Sequence, residues 1–469
     1  MNHANLHPRD NAVLKDINDV SRRIELGGRI CYEISPYHCY WIDPANREFK
    51  ESLAIWAGYI ISGNFNPILF LQSLRYLTGR HESLRSSFLS RDGKYYISSE
   101  ENDRFFERAF ADSLMPGFDH EQDLMDWIYF RGHTFDIENG PLFQVRIGVG
   151  GTDRWLVSIK IHHSISDTWS WEVLLRDLLT AYKCFETGQL PQLPRLWFQY
   201  NEWLGWRRHQ IEQHYHSQKQ YWSALYKGIP DPLLIPGAKI NPRDRDLFCR
   251  EGKKESFLLS GEAFRRVESL CSAYHVNLFM LLRASFMLYL SKLTGQADIM
   301  IGTMVSGRTS ISSHADQIGY YAYTDVTRII FDRGDSLAEA VDKVKRSFKD
   351  MYIYSDYILH MALSDIHSPG RVSSAPFWNV NLDFESSNGD TGNASFSQGG
   401  SFADIRLDRL PGGEAGMVTD MDLKLKIVHK GSGLEIRVLY DCELYDTTAI
   451  HTLITGYLES IDKNEDHHG

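Results

Sequence analysis

The chain has 469 residues, of which 43% are hydrophobic and 24% charged, and its formal net charge is -11 at pH 7 with a pI near 5.9. This length predicts two or three domains with cores of their own, and the composition excludes extensive disorder away from the ends. The acidic balance disfavours a nucleic-acid surface, because such a surface needs basic side chains to displace counterions from phosphates.

Cysteine usage and hydropathy both indicate a soluble, cytoplasmic protein. The six cysteines are scattered without CxxC or secretory spacing, which suits reduced thiols in a cytosol. Residues 1–15 are polar and lack the apolar stretch of a signal peptide. The most apolar window, 276–290, contains Arg283 and is too short to span a bilayer. We therefore expect no membrane association.

The first half of the chain alternates predicted strands and helices. Residues 1–28 are interpreted as a leader, either disordered or used for docking. The first half ends in a predicted connector at Gly188–Arg195, because its two prolines lack backbone N–H donors and restrict the conformation of the residues before them. Between them the apolar periodicity predicts a helix at 70–78, strands at 95–98, 143–149 and 155–161, and a helix at 173–185.

The second half continues the alternation and contains one long polar stretch. Residues 386–416 are rich in Ser, Gly and Asn, which predicts a long loop or partly ordered excursion of the kind that often acts as a lid. The other segments predicted here are helices at 201–226, 260–274 and 278–293, and strands at 299–305, 378–383, 423–429 and 434–439.

The run IHHSISDTWS, residues 161–170, marks a strand-to-helix turn with two adjacent imidazoles and a carboxylate. Neighbouring side chains of an extended segment point to opposite faces, so His162 and His163 cannot share one role. Asp167 just before a helix is most often an N-cap. Zinc binding is an alternative, but the two imidazoles point apart and no third His or Cys lies at the usual short spacing.

Separated blocks of the sequence resemble, in order, the motifs of the condensation domains of nonribosomal peptide synthetases, relatives of chloramphenicol acetyltransferase and the plant BAHD acyltransferases. Residues 162–168 resemble the HHxxxDG signature at every defined position but the last. The other blocks are 80–88 (RHESLRSSF), 135–143, 199–206, 221–236 and 298–308, with a less perfect match at 318–324.

The resemblance spans about residues 35–458 and implies an α/β fold. That fold has two chloramphenicol-acetyltransferase-like lobes in a V-shaped pseudo-dimer, with the active-site tunnel between them. It implies an N-terminal lobe at 29–187 that carries the HHxxxD motif and a C-terminal lobe at 188–465. The stretch 386–416 would cross toward the other lobe and help to close the tunnel.

The resemblance also implies roles for the residues of the signature. His163 becomes the catalytic group, acting either as a general base or by positioning the nucleophile, while His162 becomes structural. Asp167 is expected to pair with an arginine and hold the turn, and the two candidate partners are Arg308 and Arg85.

Four residues are expected to line the tunnel near His163, and no metal ion is expected there. Thr168 stands where the family has glycine, which predicts a narrower or differently shaped passage. Tyr323 stands where the family has asparagine. The other two expected lining residues are Trp169 and Ser170.

As a whole, the resemblance implies a free-standing condensation enzyme. It would transfer an acyl or polyketide chain from the phosphopantetheine thioester of a separate acyl or peptidyl carrier protein to an amine or hydroxyl acceptor, forming an amide or ester in natural-product (antibiotic) biosynthesis. The acceptor would be a small molecule or carrier-bound. Because only a charged tail follows residue 458, we expect a free-standing chain that acts in trans. We also expect a monomer with no bound cofactor.

Two alternatives stay open at this point. A non-catalytic module of the same fold could bind or recruit a carrier protein or another partner. An epimerase-type relative would share HHxxxD, although no EGHGRE-like stretch is present.

Overall fold

The computed structural model divides the chain into two compact units. Unit 1 comprises Met1–His214, Ser306–Ala322 and Gly392–Gly413, and unit 2 comprises Tyr215–Val305, Tyr323–Thr391 and Glu414–Gly469. The residues that the structure describes are 8–21, 23–35, 54–115, 121–150, 154–240, 250–308, 312–354, 378–386, 400–402, 405–410, 418–419 and 421–462.

Strands and helices alternate from the start of the described chain to the end of a long helix. In order they are α1 (Pro8–Val20), β1 (Arg23–Leu26), β2 (Arg29–Ile34), β3 (Ala54–Gly63), α2 (Pro67–Arg80), β4 (Ser86–Arg91), β5 (Lys94–Ser99), α3 (Asn102–Phe110), β6 (Leu114–Met115), α4 (Glu121–Ile128), β7 (Phe143–Val149), β8 (Arg154–His162), α5 (Thr168–Glu186) and α6 (Tyr200–Leu225).

The remaining elements are mostly strands. They are β9 (Arg250–Ser260), α7 (Gly261–Tyr274), α8 (Leu278–Thr294), β10 (Asp298–Val305), β11 (Tyr323–Ile330), α9 (Leu337–Ile353), β12 (Val380–Ser386), β13 (Gly400–Phe402), β14 (Ile405–Arg409), β15 (Val418–Thr419), β16 (Leu423–Lys430), β17 (Gly433–Asp441) and α10 (Thr447–Asp462).

Every strand and helix that the apolar periodicity predicted is present, with bounds that differ by at most five residues. The largest difference is at the start of α5. This helix begins at Thr168 rather than at 173 because Asp167 caps it, and its first turn, Thr-Trp-Ser-Trp, alternates polar and aromatic residues and therefore shows no helical apolar period.

The structure makes two sequence expectations more specific within the described residues. The stretch 386–416, predicted as a loop or partly ordered excursion, contains β13 and β14, and β14 pairs with β3 in the sheet of unit 1. Of the two interpretations of the leader, disorder does not hold at residues 8–20, which form α1. Leu14 and Ile17 of α1 are buried in the core of unit 1 because they lie three residues apart on one helix face.

Unit 1 is built around a six-stranded sheet in the order β13-β14-β3-β8-β7-β6. One face packs on α2 and α5, where Val157 and Ile159 of β8 meet Phe70 and Leu178. On the other face, Leu156 packs with Leu124 and Ile128 of α4. A separate four-stranded sheet has the order β1-β2-β5-β4.

Unit 2 is built around a seven-stranded sheet in the order β11-β10-β12-β16-β17-β9-β15. Helices α7, α8, α9 and α10 share one apolar core with this sheet, through residues such as Val267, Phe286 and Ile454. Met300 and Val326 belong to a second cluster with Trp222 and Tyr226 at the end of α6.

Across the residues with described placement, no single helix combines the length and apolar character that crossing a bilayer requires. The pair α7 and α8 meets that standard only when both helices are taken together, and they are bent by 100° with respect to each other.

The core of unit 2 contains charged residues close to the ends of β10 and β11. The guanidinium of Arg283 on α8 is buried and donates to the carbonyl oxygen of Ile301 at 2.7 Å and to the hydroxyl of Thr303. Asp325 on β11 pairs in register with Thr303 and is only 5% exposed. Burial raises the pKa of Asp325 to about 6, although the charge of Arg283 opposes this shift.

We expect Asp325→Asn to stabilise the protein relative to wild type more at pH 7.5 than at pH 4. The folded-state pKa lies above that of an unfolded carboxyl group, so wild type loses stability as the pH rises through this range, whereas the amide does not titrate. The difference in free energy of unfolding between the variant and wild type should change by a few kcal/mol from pH 4 to pH 7.5, since one pKa unit corresponds to about 1.4 kcal/mol. Urea denaturation at both pH values measures it.

The matched control is Asp92→Asn, which replaces an exposed carboxylate in a turn of unit 1. Its effect on the free energy of unfolding should be small, because the carboxylate is exposed and its ion pair with Arg91 contributes little. An equal response of Asp325→Asn at both values would contradict the raised pKa.

Candidate active site at the turn between β8 and α5

The candidate site lies where the central strand β8 ends and α5 begins. Strand β8 pairs with β3 on one side and with β7 on the other, so its last residue, His162, lies inside the sheet. Residues His163–Ile165 form a single 3₁₀ turn. Asp167 then caps α5 by accepting a hydrogen bond from the backbone N–H of Ser170 at 2.8 Å.

His162 is an interior side chain. Its Nδ1 accepts hydrogen bonds from the hydroxyl of Ser164 at 2.7 Å and from the backbone N–H of the same residue at 3.2 Å. The edge of the Phe135 ring packs against the imidazole, with the ring centroids 5.5 Å apart. Burial lowers the pKa of His162 to about 3, so the ring is neutral and acts as a packing and hydrogen-bonding group.

His163 is partly exposed and is held in one tautomer. Its Nδ1 lies 2.8 Å from the carbonyl oxygen of Ser166. A carbonyl only accepts, so Nδ1 carries the proton and donates it, and Nε2 carries the lone pair. Burial lowers the pKa of His163 below its usual 6.5. The ring is therefore a neutral imidazole near pH 7, with its basic nitrogen at Nε2.

Tyr320 orients the same ring from another part of the chain. The aromatic rings of Tyr320 and His163 meet edge to face, with centroids 5.4 Å apart. The main-chain carbonyl of Tyr320 accepts a hydrogen bond at 3.1 Å from the hydroxyl of Tyr200 at the start of α6. Tyr320 is not among the residues expected at the site, because the block at 318–324 gives no sign that it contacts residue 163.

Asp167 holds the turn through its second carboxylate oxygen. This Oδ2 accepts from the guanidinium of Arg308 at 2.5 Å and from the backbone N–H groups of Tyr321 and Ala322 at 3.1 and 3.2 Å. Asp167 is 3% exposed and Arg308 is 7% exposed, so the ion pair is buried. A carboxylate that accepts this many bonds from elements distant in sequence fixes their relative positions.

Of the two arginines considered as partners, Arg308 contacts Asp167 and Arg85 does not. Arg85 instead donates to the carbonyl oxygens of Thr78, at 3.1 Å, and Glu100. Its role is to tie α2 to the end of β5, within unit 1.

Ser170 is fully buried in the same network, so the expectation that it lines a tunnel is wrong. Its hydroxyl has one hydrogen, which is directed to the carbonyl oxygen of Gly319 at 2.7 Å or to Asp167 Oδ1 at 2.8 Å. It accepts from Arg308 at 2.8 Å and from the backbone N–H of Gly319 at 3.0 Å. These four contacts saturate the hydroxyl and turn it away from solvent.

The segment that supplies Arg308 requires glycine at the preceding position. Gly307 has a φ of +66°, and a Cβ atom there would lie 2.0 Å from the carbonyl oxygen of Tyr321. Only glycine takes this backbone conformation with so little room. The backbone conformation of Gly307 therefore allows the next residue, Arg308, to direct its guanidinium to Asp167.

The remaining expected lining residues lie as follows. Thr168 is the exposed first residue of α5, and Trp169 is 48% exposed and donates from its indole N–H to the carbonyl oxygen of Ala315 at 2.9 Å. Tyr323 is the half-buried first residue of β11, in unit 2. That these three residues line a tunnel stays a prediction.

Metal binding was the alternative interpretation of the two histidines and Asp167. Within the described ranges, no group of three or more His, Cys, Asp or Glu side chains is placed to hold a metal ion. Asp167 already uses both carboxylate oxygens for the hydrogen bonds above.

We expect Arg308→Met to lower the free energy of unfolding by about 3–5 kcal/mol, because it leaves the buried carboxylate of Asp167 without its counter-charge. Arg75→Met is the matched control, since it removes an arginine whose ion pair with Asp103 is exposed and should cost less than about 1 kcal/mol. Urea denaturation compares the two variants. Equal losses of unfolding free energy in the two variants would show that the buried ion pair stabilises the protein no more than the exposed one does.

Comparison with known sequences places most of the chain in one family. The model of the condensation-domain family matches residues 41–467. Malpinin synthetase of Mortierella alpina is 25% identical over 406 residues, and surfactin synthase subunit 1 of Bacillus subtilis (strain 168) is 25% identical over 419 residues. These alignments cover 86% and 87% of this chain but only 5% and 11% of the two relatives, so the chain spans a small part of their length.

Solved structures of several domains share this fold. The X-domain in complex with OxyB from teicoplanin biosynthesis has a TM-score of 0.76 at 17% identity, covering 94% of this chain and 95% of that one. The first condensation domain of the calcium-dependent antibiotic synthetase, in complex with a substrate analogue, has a TM-score of 0.63 at 16% identity and covers 95% and 96%. At these identities the likeness concerns the fold alone. The predicted α/β fold of two chloramphenicol-acetyltransferase-like lobes is confirmed.

Proposed function

Since this chain belongs to the condensation-domain family of nonribosomal peptide synthetases, we propose that it is an acyltransferase with His163 as its catalytic group. It transfers an acyl or polyketide chain from a carrier-protein thioester to an amine or hydroxyl acceptor, with formation of an amide or ester. The observation that carries this proposal is the orientation of His163. The Ser166 carbonyl fixes its tautomer, and burial keeps the ring neutral.

The chemistry requires one proton to be moved. The nitrogen or oxygen of the acceptor attacks the thioester carbon, and its proton passes to Nε2 of His163. The carbon–sulfur bond then breaks, and the proton is delivered to the departing thiolate of phosphopantetheine. A positioned base contributes about 10²- to 10⁴-fold to such a step. Alignment of the two substrates supplies a further share of the rate enhancement.

The phosphopantetheine arm belongs to the substrate in this proposal. It is attached to an acyl or peptidyl carrier protein that acts in trans, so the chain itself needs no bound cofactor. His163 acts on the end of the arm, while Asp167 and Arg308 keep the turn that presents the imidazole in one conformation. They are positioning residues, because their charged groups are buried and bonded to each other.

A second candidate is a non-catalytic module that binds a partner. One observation favours it: Thr168 adds a branched side chain beside the signature, where a glycine is expected. The X-domain of teicoplanin biosynthesis, which shares the fold, is found in complex with OxyB. The geometry of His163 favours catalysis instead, because a purely structural imidazole has no need of a fixed basic nitrogen at a partly exposed position.

We expect His163→Ala to lower the rate of product formation at least 100-fold while carrier binding is unchanged, because the proton acceptor is lost and the fold is not. Product is measured by mass spectrometry with loaded carrier proteins and a panel of amine and alcohol acceptors. His451→Ala, which removes an exposed histidine of α10, is the control and should react at the wild-type rate.

Wild-type turnover by His163→Ala would refute the catalytic role of this imidazole. Binding of the carrier with no product from wild type, across the whole panel, would favour the recruitment module.

The pH dependence provides a separate check on His163. Because burial lowers its pKa below 6.5, the neutral form predominates at pH 6.5 and above. With an alcohol acceptor, which does not titrate in this range, we expect a rate that is constant from pH 7 to 8 and declines only below 6.5. If the rate already falls as the pH is lowered from 8 to 7, His163 is not the titrating base.

A further inference from the structure

The face of the unit 1 sheet that packs on α4 carries a polar band in its interior. Strand register places Trp56, Lys160 and Gln144 side by side on β3, β8 and β7. The next row along the same face contains Ser158 and Arg146. Cross-strand partners share a face and lie within contact distance. The two polar rows lie between His162, which is one row further along, and the apolar residues that pack on α4.

Several polar atoms of this band have no hydrogen-bond partner among the residues that the structure describes. They are Nε1 of Trp56, Oε1 of Gln144, Oγ of Ser158 and Nδ1 of His133, all of them buried. Ser158 is completely inaccessible. More than nine in ten buried polar groups of folded proteins are hydrogen-bonded. Four unpaired atoms on neighbouring positions therefore indicate that another molecule completes the band.

Two cationic side chains belong to the band. The guanidinium of Arg146 lies 4.0 Å from the centroid of the Phe130 ring and the ammonium of Lys160 lies 5.7 Å from it, so both cations are held against one ring. Burial alone lowers the pKa of Arg146 to about 10. Burial, together with the charges of Lys160 and Arg146, lowers the pKa of His133 to about 4. Within the described part of the chain, no carboxylate contributes to either shift.

We propose that this band is a binding site for a carboxylate. Arg146 supplies the opposite charge, and the indole N–H of Trp56 and the hydroxyl of Ser158 supply donors. A carboxylate has one charge and two acceptor oxygens, which matches one cation and two neutral donors, and charge-assisted hydrogen bonds are the strongest of their kind. Phe130 adopts a left-handed backbone with φ of 54°, so the ring between the two cations is held at a conformational cost.

The carboxylate has two sources. One is a free organic acid, which would occupy the band independently of any reaction. The other is the far end of the transferred acyl chain, because the band starts one row, about 7 Å, from His162, the residue that directly precedes His163 in the chain. The second source rests on the proposed function, whereas the first does not.

The binding arm of the test needs no turnover. Acetate and acetamide are added to wild type at matched ionic strength, and the thermal unfolding midpoint is recorded. We expect acetate, but not acetamide, to raise the midpoint, and Arg146→Met to lose at least about tenfold in acetate affinity. Arg131→Met, which removes an exposed arginine next to Phe130 in the chain, is the control and should bind acetate as wild type does.

The transfer arm distinguishes the two sources. Carrier proteins loaded with adipoyl and hexanoyl groups, which have the same length, are compared as donors. A preference of about tenfold for adipoyl that disappears in Arg146→Met assigns the band to the acyl chain, whereas acetate binding without this preference assigns it to a free acid. If Arg146→Met does not fold, Ser158→Ala and Trp56→Phe keep the packing and should weaken acetate binding severalfold.

One result overturns the proposal. If acetate stabilises wild type no more than acetamide does, and adipoyl and hexanoyl donors react alike, the band holds only water. If no acyl transfer occurs with any donor, the proposed function fails, and the acetate measurement still decides whether the band binds a carboxylate.

Discussion

The carboxylate of Asp167 joins three parts of the chain that are far apart in sequence. One oxygen caps α5, and the other receives the guanidinium of Arg308 and the backbone N–H groups of Tyr321 and Ala322. A buried pair of this kind is costly to break, because the charge that remains has no water around it. Residues 306–322 are therefore part of unit 1, although they come from the second half of the sequence.

The position of His163 follows from this constraint. The capped start of α5 fixes the short turn that precedes it, and the carbonyl of Ser166 in that turn fixes the tautomer of the imidazole. Tyr320, carried by the segment that Arg308 anchors, packs on the ring. One ion pair thus determines both the orientation of the proposed base and its aromatic neighbour, and a glycine at 307 is what allows the arginine to reach it.

The two faces of strand β8 differ in polarity. The residues at odd positions, such as Ile159 and Ile161, are apolar and form the core with α2 and α5. The residues at even positions include Ser158, Lys160 and His162, and they are polar although buried. Apolar burial on one face stabilises the strand sufficiently for the other face to hold polar groups, and the motif lies where this polar face reaches the end of the strand.

The sequence by itself determined the elements and the family. Helix and strand periodicity is local, so a short window is enough to read it, and the separated motif blocks at 80–88, 162–168 and 298–308 carried the resemblance. Tertiary structure decided which arginine meets Asp167, that Ser170 is buried, that α1 packs on the core and that β14 joins β3. It also aligned Trp56, Gln144 and Ser158. These are contacts between residues tens to hundreds of positions apart, and they depend on strand register and packing, which no local pattern encodes.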